Sequence, residues 1–102
     1  MIKVSVFYPN SAGATFDMAY YTSKHMPMVK QLVTSCKGIA AEQGVGGGTP
    51  GSQPTYIAAG HLLFDSVDAF FSGFGPHADQ ILGDIPNYTN TQPIVQISEI
   101  TL

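Results

Sequence analysis

Apolar and polar positions along the chain follow two periods. In "IKVSVFY" (residues 2–8) Val4 and Val6 share one face and Phe7 falls on the other. The run is rich in β-branched and aromatic residues and stops at Pro9-Asn10, so it predicts a strand. After the loop "NSAGA", Thr15 can cap a helix, with Asp17 in its first turn, where a carboxylate suits the dipole. The helical pattern then continues to about Ser35. "KGIAAEQG" (37–44) reads as a short, weaker strand, "GVGGGTPGSQP" as a mobile loop and "TYIAAGHLLF" (55–64) as a long strand. Asp65-Ser66 caps a second helix through Phe71, which Gly73 and Gly75 are expected to break. Pro76 suits the first turn of a further short helix, and Gly83 stops it. "DIPNYTNTQ" is a structured loop, and "PIVQISEITL" is the last strand.

The order is β-α-β-β-α-β. Two split β-α-β units predict a ferredoxin-like α+β sandwich, a four-stranded antiparallel sheet with both helices on one face. The 102 residues suffice for one domain, residues 1–102, and not for two. A domain of this size buries only about two-thirds of the surface its unfolded chain exposes. Helices on one side of a sheet predict strands that alternate, apolar inward and polar outward. "YIAAGHLLF" is instead apolar at nearly every position. A sheet apolar on both faces must be covered on both, and no residues remain to do it. The expectation is a homodimer packed sheet to sheet, forming a dimeric α/β barrel.

"YYTSKHMPMV" (20–29) places a histidine two residues before a proline. At about 100° per residue, Met18, Tyr21, His25, Met28, Val29, Leu32 and Val33 fall within one arc of roughly 140°. His25 is thus expected to face the sheet. Pro27 has no N–H, so the carbonyl of Ser23 loses its usual partner. Met26, preceding the proline, is expected to leave helical dihedrals. A bend or break beside His25 would open a gap between helix and sheet for a small molecule. Two readings of His25 remain open. It is a neutral core histidine satisfied by a tyrosine or a carbonyl, or a general acid or base near neutral pH. Tyr8, Tyr21, Phe70 and Phe74 would form an apolar pocket near it.

Charge and composition exclude several classes. The net charge is −3 and all four basic residues are lysines, so the footprint of a nucleic-acid binder is absent. The single cysteine, Cys36, excludes an internal disulfide and fits a reducing compartment. "MIKVSVFYPN" has no basic region followed by a long apolar run, so neither a signal peptide nor a membrane span is expected. The chain reads as cytoplasmic. Gly46-x-Gly48-x-x-Gly51 formally matches a dinucleotide fingerprint, but prolines and a strand follow it where a helix is required, so Gly44–Gly51 reads as a hairpin loop. His25, His61 and His77 are not spaced as paired ligands, and no metal is expected. His61 lies on the long strand, where it either orients a substrate or faces a barrel interior. His77 follows Pro76 in a first helical turn, as a substrate contact or a solvated residue.

"YYTSKHMPMV" resembles the helix signature of the EthD-like family, aromatic residues followed by His-x-Pro and apolar residues. "GDIPNYTNTQPIVQISEI" resembles that family's C-terminal segment, and "FDSVDAFFSGFGPHADQI" fits its second helix. The resemblance covers nearly the whole chain. It implies a member of the dimeric α/β-barrel proteins, a family named for ethyl tert-butyl ether degradation. Relatives accompany a cytochrome P450 ether-oxidising system, which implies either an enzyme or a non-catalytic accessory protein. Related barrels include cyclases, dehydratases, cofactor-free monooxygenases and haem-degrading enzymes, and in several a pocket histidine moves a proton. The motif match assigns that role to His25, with Tyr21 nearby. Tyr8, His61, Phe70, Phe74 and His77 would contact the substrate. No nicotinamide or flavin motif accompanies these residues, so no cofactor is expected. The ligand expected is small and apolar or aromatic.

Overall fold

The computed structural model describes all 102 residues. Strands β1 (Ile2–Pro9), β2 (Gly38–Gln43), β3 (Tyr56–Phe64) and β4 (Ile94–Glu99) form one antiparallel sheet in the order β2-β3-β1-β4. The helical layer comprises α1 (Met18–Tyr20), a π-helical turn (Tyr21–His25), α2 (Met26–Leu32), α3 (Val67–Phe74) and α4 (Ala78–Gly83). Short 3₁₀ turns at Gly75–His77 and Ile85–Asn87 join the last elements. This is the ferredoxin-like α+β sandwich expected from the pattern, and its 19 Å thickness is that of one sheet and one helical layer.

Pairing of Val4 with Leu62 and Ile97, and of Val6 with Gly60 and Val95, puts these residues on the helix-covered face. Lys3, Ser5, Phe7, His61, Leu63, Ile94 and Gln96 occupy the other face. The core lies under the helices around Val4, Tyr8, Tyr21, Val29, Val33, Leu62 and Phe64. The outer face mixes apolar and polar groups, so β1 alternates more cleanly than the sequence suggests.

The first helical run departs from expectation in three places. Its cap is Asp17, whose carboxylate accepts from the Tyr20 N–H at 3.0 Å, whereas the Thr15 N–H donates to the Asn90 side chain. Pro27 does not break the helix, and Met26 keeps helical dihedrals (φ −64°, ψ −41°). Instead the turn before it widens, and the Met26 N–H donates to the Tyr21 carbonyl, five residues back. Ser23 and Thr22 hydroxyls donate to the carbonyls of Ala19 (2.6 Å) and Met18 (2.9 Å), which supports the distorted turn. The extra residue lets His25 and Met26 both face inward, each 4% exposed. Finally, the helix ends at Leu32, not Ser35. Val33 leaves helical dihedrals and is fully buried, and the Ser35 hydroxyl ties the turn to the Ala69 carbonyl.

α3 also runs through Gly73 to Phe74. A Cβ at Gly73 would collide with the Ser35 hydroxyl, so this glycine marks a close approach of two elements. A second close approach occurs at Gly60, where a Cβ would collide with the Tyr21 hydroxyl. The segment Gly44–Gly51 belongs to the β2–β3 hairpin connection, pinned by hydrogen bonds between Thr49 and Ser52.

Gly60 provides a test with a definite sign. At an unconstrained site, Gly→Ala stabilises by about 0.4–1 kcal/mol. Gly60→Ala is expected to destabilise by about 1–3 kcal/mol, because Tyr21 must move. Urea denaturation measures this, and a gain in stability contradicts the packing described.

Candidate functional site

A cavity of about 390 Å³ separates the helical layer from the sheet. Of its 18 lining residues 15 are hydrophobic, and none carries a carboxylate, ammonium or guanidinium group. Tyr8, Tyr21, His25, Phe70 and Phe74 all line it. Strand β1 presents Tyr8, the widened turn presents Tyr21 and His25, and α3 presents the two phenylalanines.

His25 Nδ1 lies 2.9 Å from Asp84 Oδ2. An ionised carboxylate only accepts, so Nδ1 carries the hydrogen and Nε2 holds the lone pair. Asp84 follows Gly83 at the end of α4. Its Oδ1 accepts from the Tyr20 hydroxyl at 2.6 Å and from Asn87 Nδ2 at 2.9 Å. Burial works against the Asp84 charge, but hydrogen bonds from Tyr20, Asn87 and His25 outweigh it and hold its carboxyl below the usual carboxylate range. Burial pushes the His25 pKa below that of free imidazole, and the neighbouring carboxylate opposes this without reversing it. The pair is therefore a neutral imidazole donating to a carboxylate, a charge-assisted hydrogen bond.

Aromatic rings enclose the imidazole. Tyr21 stacks on it with centroids 5.5 Å apart and planes 12° from parallel, and Tyr88 packs against it at 4.6 Å. The Tyr88 hydroxyl faces His25 Nε2 at 3.4 Å, a long contact, and bonds the Tyr8 hydroxyl at 2.7 Å. Burial raises the pKa of Tyr8, Tyr21 and Tyr88 well above that of free tyrosine, so all three stay protonated. This arrangement can accept a proton at Nε2 and stabilise the resulting imidazolium through Asp84.

His61 and His77 lie elsewhere. His61 is on the outer sheet face, with Nδ1 2.9 Å from the Ser5 hydroxyl and Nε2 2.7 Å from Glu42 Oε1. The sequence Ser–His–carboxylate has the order of a nucleophilic triad. However, Ser5 is buried in mid-strand between two hydrogen-bonded neighbours, and β1 offers no free N–H groups to stabilise an oxyanion. His77 sits in the 3₁₀ turn before α4, outside the cavity lining. No group of three or more histidine, cysteine and carboxylate side chains is arranged to hold a metal ion. Sequence reasoning missed Asp84, Asn87, Tyr20 and Tyr88. The available signal was a carboxylate in an otherwise charge-poor chain, placed directly after a helix-stopping glycine.

The lowered His25 pKa gives a pH dependence. As pH falls below about 6.5, the unfolded chain takes up the imidazole proton before the folded chain does, so stability falls. The Asp84 contribution is lost only as pH passes below its ordinary value of 3.8. Between about pH 7 and pH 5 the unfolding temperature is expected to drop, with a shallower slope in His25→Gln. Equal slopes in thermal scans would mean that His25 is not held neutral.

Comparisons with known proteins agree with this architecture. No curated protein sequence matches significantly. A solved EthD-like protein from Ralstonia eutropha JMP134 is 42% identical, superimposes with a TM-score of 0.94, and the match covers 99% of this chain and 92% of that one. An ethyl tert-butyl ether degradation (EthD) family protein from Bacillus halodurans C-125 shares 13% identity at a TM-score of 0.64, over 99% of both chains. A dimeric ferredoxin-like protein of unknown function from Thermobifida fusca YX shares 15% identity at a TM-score of 0.64, over 97% of this chain and 90% of that one. These last two show the fold. The EthD domain model matches residues 13–92, and with the Ralstonia match this establishes that the chain belongs to the EthD family.

Proposed function

We propose that the chain is a homodimer that binds a small apolar or aromatic molecule in the cavity and moves a proton with His25. The observation that carries the reading is a neutral imidazole, pinned by Asp84, in the wall of a cavity that is otherwise apolar. Such a base takes a proton from an acidic C–H or O–H of the ligand and returns it to another atom of the same molecule. No redox change is involved, and none of these steps needs a cofactor. Tyr21 orients the ligand, and Tyr8, Phe70 and Phe74 pack on it.

The dimer rests on surface that one chain leaves uncovered. Only 19 of 102 residues are buried, and Ile39, Ile94 and Ile100 remain more than a third exposed. Helices cover only one sheet face, and Phe7, Leu63 and Ile94 lie on the other. Apolar surface of this kind marks an association site. The dimeric description of the Thermobifida protein, which shares the fold, favours a second copy as the cover.

Two outcomes are expected. On a substrate with established turnover, His25→Asn should lower kcat by about 10²–10⁴-fold. Turnover preserved within a few-fold leaves a binding protein without His25 chemistry. In sedimentation at micromolar concentration the protein should run as a dimer, and Ile94→Lys should shift it toward single chains. Ile94 is 53% exposed, so the substitution loads the interface and not the core. Single chains in the unaltered protein would remove the dimer.

A further inference from the structure

The cavity wall restricts the ligand more tightly than "apolar" does. No lining residue carries a formal charge, and His25 is neutral. A carboxylate, phosphate or ammonium group bound here would be desolvated with no opposite charge to balance it, at a cost of several kcal/mol. Anionic and cationic ligands are therefore disfavoured.

The wall is also not uniformly apolar. Its polar atoms belong to Tyr8, Tyr21 and His25, which are 2%, 1% and 4% exposed. Not all of these atoms are available to a ligand. The Tyr8 hydroxyl is committed to Tyr88 at 2.7 Å, and His25 Nδ1 to Asp84. The Tyr21 hydroxyl lies over Gly60, another lining residue. It leans toward the Tyr8 hydroxyl, which helps to raise its pKa, but no direct hydrogen bond holds it. His25 Nε2 has only its 3.4 Å contact with Tyr88. One acceptor, Nε2, thus remains open, and one donor, the Tyr21 hydroxyl, can turn from Tyr8 to a ligand, on adjacent rings of the widened turn. A ligand hydroxyl is the smallest group that satisfies both, accepting from Tyr21 and donating to Nε2. A ketone or ether leaves Nε2 unanswered.

The other wall is hydrocarbon. Phe71, Leu82 and Val95 line the cavity while remaining 58%, 53% and 56% exposed, so they form its mouth. At about 30 Å³ per water, 390 Å³ is the space of about 13 waters, which suits a molecule of roughly that many non-hydrogen atoms. We infer that the site selects an uncharged, largely hydrocarbon molecule bearing one hydroxyl, an alkylphenol in preference to an aryl carboxylate, with the hydroxyl against Tyr21 and His25 and the hydrocarbon toward the mouth. This inference rests on the proposal that the cavity is the ligand site.

Calorimetric titration of the full chain with para-propylphenol, propylbenzene and para-propylbenzoate tests it. The phenol is expected to bind about tenfold more tightly than propylbenzene, the worth of a satisfied hydrogen bond. It should also bind more tightly than the benzoate. In Tyr21→Phe the preference over propylbenzene, compared within that variant, should shrink to within about threefold. His25→Asn serves as a second variant that should narrow the same gap. Equal binding of phenol and propylbenzene, a preference for the benzoate, or a preference that survives both variants overturns the hydroxyl inference alone. If none of the three binds, the cavity is not a ligand site and both readings fall.

Discussion

An imidazole buried as deeply as His25 must have its N–H answered, and the Asp84 carboxylate at 2.9 Å answers it. Much of the local structure follows from keeping that carboxylate ionised and in place. Asp84 is partly buried, so it needs donors, which Tyr20 supplies from the first helix and Asn87 from the 3₁₀ turn that follows. The same turn delivers Tyr88 into the aromatic cluster, where it packs on His25 and bonds Tyr8 on the central strand. One carboxylate thus joins the first helix, the end of α4 and β1 into a single hydrogen-bonded unit. Removing it would strand the buried His25 N–H, at about 1–3 kcal/mol, while Tyr20 and the exposed Asn87 would turn to solvent.

The proline two residues after His25 acts on the same unit. A regular α-helix through Pro27 would leave the Ser23 carbonyl unpaired and set the proline ring against the preceding turn. The chain instead takes five residues for that turn. Tyr21 and His25 stay stacked, Met26 joins them on the sheet side, and the Tyr21 hydroxyl reaches the sheet backbone where Gly60 has no side chain. A larger residue at 60 is incompatible with that contact. The cavity is what remains between this widened turn and the short, angled pair α3–α4.

Period and punctuation made the fold legible. The strand runs, the Ser66 cap, Pro76 and Gly83 all mark elements close to where they occur. His25 and Tyr21 were legible too, because an ideal 100° wheel places both on the apolar stripe. The wheel assumes a uniform helix, so it could not show the widened turn or the burial of Met26. Asp84 lies 59 residues from His25, and no periodicity links a helix to a distant loop. Tyr88 and Asn87 were hidden for the same reason. A strand turns alternate residues to opposite faces, so His61 reads as facing either a substrate or a barrel interior. Pairing with Ser5 puts it on the side away from the cavity.

Asp84 does not itself line the cavity. The carboxylate meets solvent and its donors behind the imidazole, so a ligand encounters a lone pair and not a negative charge. This separation resolves a conflict between binding and chemistry. A carboxylate in the wall would be a base, but it would repel electron-rich apolar molecules and draw water inside. A lone imidazole would suit such molecules, but its cation would be costly to form once water is excluded. With the charge placed one ring away, the wall stays neutral while the ligand binds, and the countercharge is in place when the proton arrives. The price is geometric: Asp84, Tyr20 and Asn87 must hold position around a ring that the ligand touches on its other side.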